Sequence, residues 1–216
     1  MLLRVAYHEA LDATHAEIIR LGELLAAALK AAVRGLEQPD PTAAARVIAD
    51  ADAIEELRRN VEAACTDLLW RQQPVAGEFR RIAAMSEIAE DYERIGHYIV
   101  EVAKHAIRVG AAPHLPVRSE VARLAEESRR MLDQAAAAYR NRDDALADDL
   151  VARDDASVDE LYHAGLLALQ QAMESDSELV ASGMSMMFVL AALQRISEHA
   201  ISIAWHTKEM LGTRFP

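Results

Sequence analysis

Glu160 and His163 stand three residues apart as Glu-x-x-His, the spacing that carboxylate-bridged iron enzymes place inside helical bundles. Such a centre needs two pairs of this kind and two further glutamates in one bundle. In the first half of the chain Glu56-Leu-Arg-Arg59 stands where a second pair belongs, so the pair lacks a counterpart. The sequence offers no Ser-His-Asp or Cys-His arrangement, no P-loop and no Gly-rich dinucleotide turn. Cys65 is the single cysteine, can form no intrachain disulfide, and sits among Ala63, Ala64 and Leu68 as a small core residue does. The eight histidines are scattered, and His8, His15 and His105 fall on polar helical turns where solvation or hydrogen bonding is expected. These features predict a protein that is not an enzyme.

Composition narrows the partners. The 216 residues carry 23 Lys+Arg against 35 Asp+Glu, a net charge of −12 that repels nucleic-acid backbones and anionic lipid headgroups, so no nucleic acid partner is expected. The start, Met1-Leu-Leu-Arg-Val-Ala-Tyr-His-Glu9, turns polar too soon for a secretory signal. The longest apolar stretch, Leu179 to Leu193, falls short of the roughly 20 residues that span a bilayer and contains Ser182 and Ser185. It reads as the most buried helix, with no direct membrane insertion. A lone cysteine suits a reducing cytosol.

The elements that must position these residues are helices. With 8 Gly, 6 Pro and 52% hydrophobic residues, the chain has few breakers and ample core material. The first helix is predicted over Leu3–Leu36, with Ile18, Leu21, Leu25, Leu29 and Ala32 on one face. Asp40 followed by Pro41 reads as an N-cap with proline in the first helical position, opening a second helix to Arg71. Pro74 precedes a third, which carries Phe79, Ile82, Met85, Ile88 and Ile95 toward Val109. Gly110, Pro113 and Pro116 mark a linker over 111–116. Three more helices are expected over Val117–Tyr139, Asp143–Met173 and Ser177–Leu211.

Three helices, a linker and three helices suggest duplication. Tyr92-Glu-Arg-Ile-Gly-His-Tyr98 matches Leu193-Gln-Arg-Ile-Ser-Glu-His199, an offset of 101 from Arg94 to Arg195. Ala53-Ile-Glu-Glu-Leu57 matches Ser157-Val-Asp-Glu-Leu161, an offset of 104 from Glu55 to Asp159. The expected fold is all-α, a tandem pair of three-helix bundles over 1–110 and 117–216.

Several segments together resemble the PhoU family. They are Ile54-Glu-Glu-Leu57, Gln73-Pro-Val-Ala-Gly-Glu-Phe-Arg80 and Glu93-Arg-Ile-Gly-His97, then Asp155-Ala-Ser-Val-Asp-Glu-Leu161 and Gln194-Arg-Ile-Ser-Glu-His199. The resemblance covers essentially the whole chain. It implies a cytoplasmic negative regulator of phosphate uptake and phosphate-starvation signalling. Such a regulator couples the ATPase subunit of a high-affinity phosphate transporter to a phosphate-responsive sensor histidine kinase by binding alone. It is compatible with a homodimer among other assemblies. An alternative within the resemblance is an accessory protein of another ion transporter or channel.

The resemblance also implies metal ligands, acidic pairs four apart on facing helices. In the first half these positions hold Ala51, Glu55, Glu93 and His97; in the second they hold Asp155, Asp159, Gln194 and Glu198. One carboxylate is lost at Ala51, an imidazole replaces another at His97, and an amide stands at Gln194. Iron or zinc suits the mixed set better than calcium. The competing expectation is that the acids pair with Arg94 and Arg195. Arg80 and Arg81 form a small basic spot after Pro74, and Met184, Met186, Met187, Phe188 and Leu190 read as core.

Overall fold

The computed structural model describes residues 2–37, 40–72, 74, 76–109, 118–152 and 156–212. The predicted linker 111–116 and Asp155 lie outside them. Seven α-helices are described: α1 (Leu2–Glu37), α2 (Pro41–Gln72), α3 (Ala76–Val109), α4 (Arg118–Asn141), α5 (Asp144–Ala152), α6 (Ala156–Ser175) and α7 (Val180–Leu211), with a 3-10 turn at Ser177–Leu179. There is no strand among the described residues. The predicted fifth helix corresponds to α5 and α6 together.

Local chemistry sets the helix ends. Asp40 Oδ1 accepts hydrogen bonds from the backbone N–H of Thr42 and Ala43, both at 3.0 Å, and Pro41 occupies the first helical position as its missing donor allows. Asp143 caps α5 through the N–H of Leu146 at 3.0 Å. Gly212, at φ 77°, closes α7 in the left-handed conformation that a Cβ disfavours.

The apolar stripes then assemble the fold. In the first half α1, α2 and α3 pack on one another; in the second, α4 and α7 hold α5 and α6. The halves meet through equivalent helices, α3 against α7 and α1 against α4. One continuous core results, running from Leu21, Leu25 and Ile95 to Leu132, Leu193 and Ile203. Cys65 is buried in it as expected, and burial pushes its thiol up to about 11.

Polar links lock the packing. Ser128 Oγ donates to the Leu193 carbonyl at 2.9 Å and accepts from Ser197 Oγ at 3.0 Å, joining α4 to α7. Lys208, almost fully buried on α7, reaches Asp144 at 3.2 Å and Asp148, which ties down α5. Arg81 pairs with Asp12 at 3.5 Å, so half of the basic spot serves to hold α3 to α1.

The Leu179–Leu193 stretch is two-faced rather than wholly buried. Met186, Val189, Leu190 and Leu193 enter the core, whereas Val180, Met184 and Phe188 are exposed. By length and composition the Ser177–Leu211 segment could cross a membrane, but one face of it is spent on this packing. His15 and His105 depart from expectation, because both are buried. Their rings lie against Tyr139 at 4.7 Å and Phe188 at 4.9 Å between centroids, contacts across helices that no local pattern reveals. His8 is exposed as expected.

A Cβ on Gly22 would lie 2.5 Å from the hydroxyl oxygen and 2.9 Å from Cζ of Tyr92, whose ring is fully buried. Gly22→Ala is therefore expected to destabilise the fold by about 2 kcal/mol in urea unfolding, the range of core overpacking. Burial, with Arg142 and Arg81 nearby, pushes His15 down to about 4. The folded chain keeps this ring neutral while the unfolded chain protonates it near pH 6.5. The contribution is thus fully present above about pH 6.5 and lost as pH falls to about 4, a loss on the order of 3 kcal/mol. His15→Leu should flatten the pH dependence of unfolding over that window.

Candidate functional site

In the first repeat the expected ligands come together around a residue not among them. α2 presents Glu55, Arg58 and Glu62 at helical spacing, and α3 presents Glu93 and His97. The Arg58 fork takes both oxygens of Glu55, Nη2 to Oε1 at 3.1 Å and Nε to Oε2 at 3.2 Å. Its Nη1 donates to Glu62 at 2.8 Å, and Nε lies 3.3 Å from Glu93 Oε2 on the facing helix. This bidentate bond holds the Glu55 carboxyl below its ordinary range, against burial and with help from the charges of Arg59 and His97. Beneath the cluster a cavity of about 30 Å³ is walled by Leu25, Ala28, Val47, Ala51 and Ile54, with Gly96 and His97 beside it. The side of the cluster where Ala51 stands is therefore apolar.

The second repeat is arranged differently. Gln194 Nε2 on α7 donates to Asp159 Oδ1 on α6 at 2.7 Å. Glu198 turns to Arg195 at 2.6 Å, as the ion-pair expectation had it, whereas Arg94 reaches Glu90 at 2.5 Å and not the Glu93 beside it. Glu160 and His163 are both exposed on α6, so they do not enter a bundle interior as a di-iron centre requires.

A bare cation needs oxygens free of competing donors. Arg58 already claims both oxygens of Glu55 and one of Glu93, and the Gln194 amide claims one oxygen of Asp159. Among the described residues no three His, Cys, Asp or Glu side chains are grouped to hold a metal ion. The described donors, committed to one another in this way, do not fit the iron or zinc that the resemblance implies.

A second polar constellation lies on the seam between repeats, and sequence reasoning missed it. Asp91 on α3 is buried, and its Oδ1 meets His199 Nδ1 of α7 at 2.8 Å. His206 Nε2, two turns along α7, lies 3.8 Å from Oδ2, and its Nδ1 is 3.1 Å from Glu209. Tyr98 stacks on His199 with centroids 5.9 Å apart. The available signal was an aspartate on the stripe of Ile88, Tyr92 and Ile95, where an apolar residue belongs. Asp91→Ala and His199→Ala are each expected to cost about 2 kcal/mol in urea unfolding. The double variant should cost less than the sum, because both remove one bond.

The PhoU domain model matches twice, over residues 18–106 and 121–206, one match to each half. A Xylella fastidiosa (strain Temecula1) PhoU homolog, a phosphate-specific transport system accessory protein, is 32% identical over 199 residues, covering 92% of this chain and 82% of that one. Its Pseudomonas aeruginosa counterpart is 30% identical over 201 residues, 92% and 82% of the two chains. The crystal structure of PhoU from Pseudomonas aeruginosa superposes with a TM-score of 0.92 at 27% identity, over 96% of this chain and all of that one. The Streptococcus pneumoniae PhoU structure, at 18% identity and a TM-score of 0.87 over 97% and 99% of the chains, shares the fold. Two domain matches, full-length relatives and a common architecture place this chain in the PhoU family.

Proposed function

We propose that this chain is a cytoplasmic negative regulator of phosphate uptake and phosphate-starvation signalling. It binds the ATPase subunit of a high-affinity phosphate transporter and a phosphate-responsive sensor histidine kinase, and holds the kinase in its repressing state when phosphate is plentiful. The observation that carries this reading is the match along both halves to PhoU proteins of phosphate-specific transport systems. The work is differential binding to partner conformations, with no group transferred. The repeats span 1–110 and 117–216, joined through 111–116. A homodimer is compatible with the same scheme.

A second reading, accessory to another ion transporter, draws support from Ala51, His97 and Gln194, which replace the family's acids. Deleting the gene and measuring alkaline phosphatase in phosphate-rich medium separates the two. High activity that falls when the gene is restored is the expected result. Unchanged repression in a host with no second copy would sink the phosphate reading and favour the other.

A further inference from the structure

We propose that each repeat answers its facing acid with an internal N–H donor in place of a metal ion, Arg58 in the first and Gln194 in the second. By the offsets between repeats, Glu55 corresponds to Asp159, Glu93 to Gln194 and Arg58 to Tyr162.

In the first repeat two carboxylates, Glu55 and Glu93, face each other across the α2–α3 contact, and unanswered they would repel. The Arg58 guanidinium lies between them, within 3.3 Å of both, and its side chain is only 16% exposed. Arg58 is therefore more than a solvated i,i+3 partner of Glu55, since it also bridges two helices.

In the second repeat one member of the facing pair is already an amide. Its NH₂ donates straight into Asp159 at 2.7 Å, while Glu198, one turn further along α7, pairs with Arg195 at 2.6 Å. The position equivalent to Arg58 holds Tyr162, which packs on the core. The guanidinium is present where the facing pair is acid with acid, and absent where it is acid with amide. That correspondence is what substitution of a metal by side-chain donors predicts. Loss of a ligand at Ala51 has the same sense. The acidic face of each repeat then keeps a fixed charge whatever the metal supply, and this holds whichever transporter the chain serves.

The test uses the purified full-length chain, incubated with Zn²⁺ or Fe²⁺, desalted and measured for metal by mass spectrometry, with thermal unfolding followed with and without EDTA. The wild-type chain is expected to retain no stoichiometric metal and to show the same Tm in both conditions. Arg58→Met leaves Glu55 and Glu93 without the guanidinium that bridges them, Glu55 keeping only the exposed Arg59 at 3.6 Å, and Gln194→Glu sets two acids against each other where α6 meets α7. Each variant is expected to gain a Tm rise of a few degrees on addition of Zn²⁺, as binding to the folded state alone requires. Gln194→Glu sits at a half-buried position and keeps the test open if Arg58→Met folds poorly. One equivalent of metal held by the wild-type chain and lost in Glu55→Gln/Glu93→Gln or in Asp159→Asn would overturn the proposal. So would a wild-type Tm that EDTA lowers.

Discussion

The structure depends on the burial of α3 against α7. The helices packed around α3 in the first repeat and around α7 in the second leave one face of each uncovered, and that face carries a residual apolar stripe. Ile95, Ile99 and Val102 on one side, and Ile196, Ala200 and Ile203 on the other, are removed from water together in one core. At about 25 cal/mol per Å² of apolar surface, that shared burial dominates any single polar link across the seam. The two repeats are consequently one folding unit, although the sequence divides them by a linker rich in breakers.

Polar groups refine what the apolar stripe allows. Asp91 and His199 fix the register of two helices whose apolar residues alone would tolerate small slides, since a buried carboxylate accepts few alternative partners. Lys208 does the same for α5, the shortest helix, and Ser128 with Ser197 for α4. The acidic surface outside the core has a different logic. There Arg58 answers two acids on neighbouring helices, Gln194 bonds one, and both leave the core untouched, which is how a family surface can change its chemistry while keeping its fold.

Helix ends were legible because their causes are local. Asp40 with Pro41, Pro74 and the Gly110–Pro116 cluster act within a few residues, and the boundaries fall beside them. The duplication was legible for a similar reason, since two motifs recur at nearly equal offsets. Partnerships across helices were not. By sequence the expected partners of the acids are Arg94 and Arg195, with Arg58 passed over, and nothing in one helix says that a guanidinium three residues from Glu55 also reaches Glu93 on another. His15 looked solvated by its neighbours in sequence, yet its environment is set by Tyr139, which lies in the opposite half. Asp91 and His199 each sat within or beside a family motif, and only the packing of α3 on α7 shows them to be one bond.

The seam joins residues about one hundred positions apart, Asp91 with His199 among them. During synthesis, α3 emerges from the ribosome before its counterpart exists. At about 5–20 residues per second, the face that α7 will cover stays open for roughly 5–20 s. Two nascent chains side by side could close that face against each other. A carboxylate in the middle of the stripe opposes such pairing, because α3 against α3 in the register of the seam would bury Asp91 opposite Tyr98, the position equivalent to His199, with no imidazole to receive it.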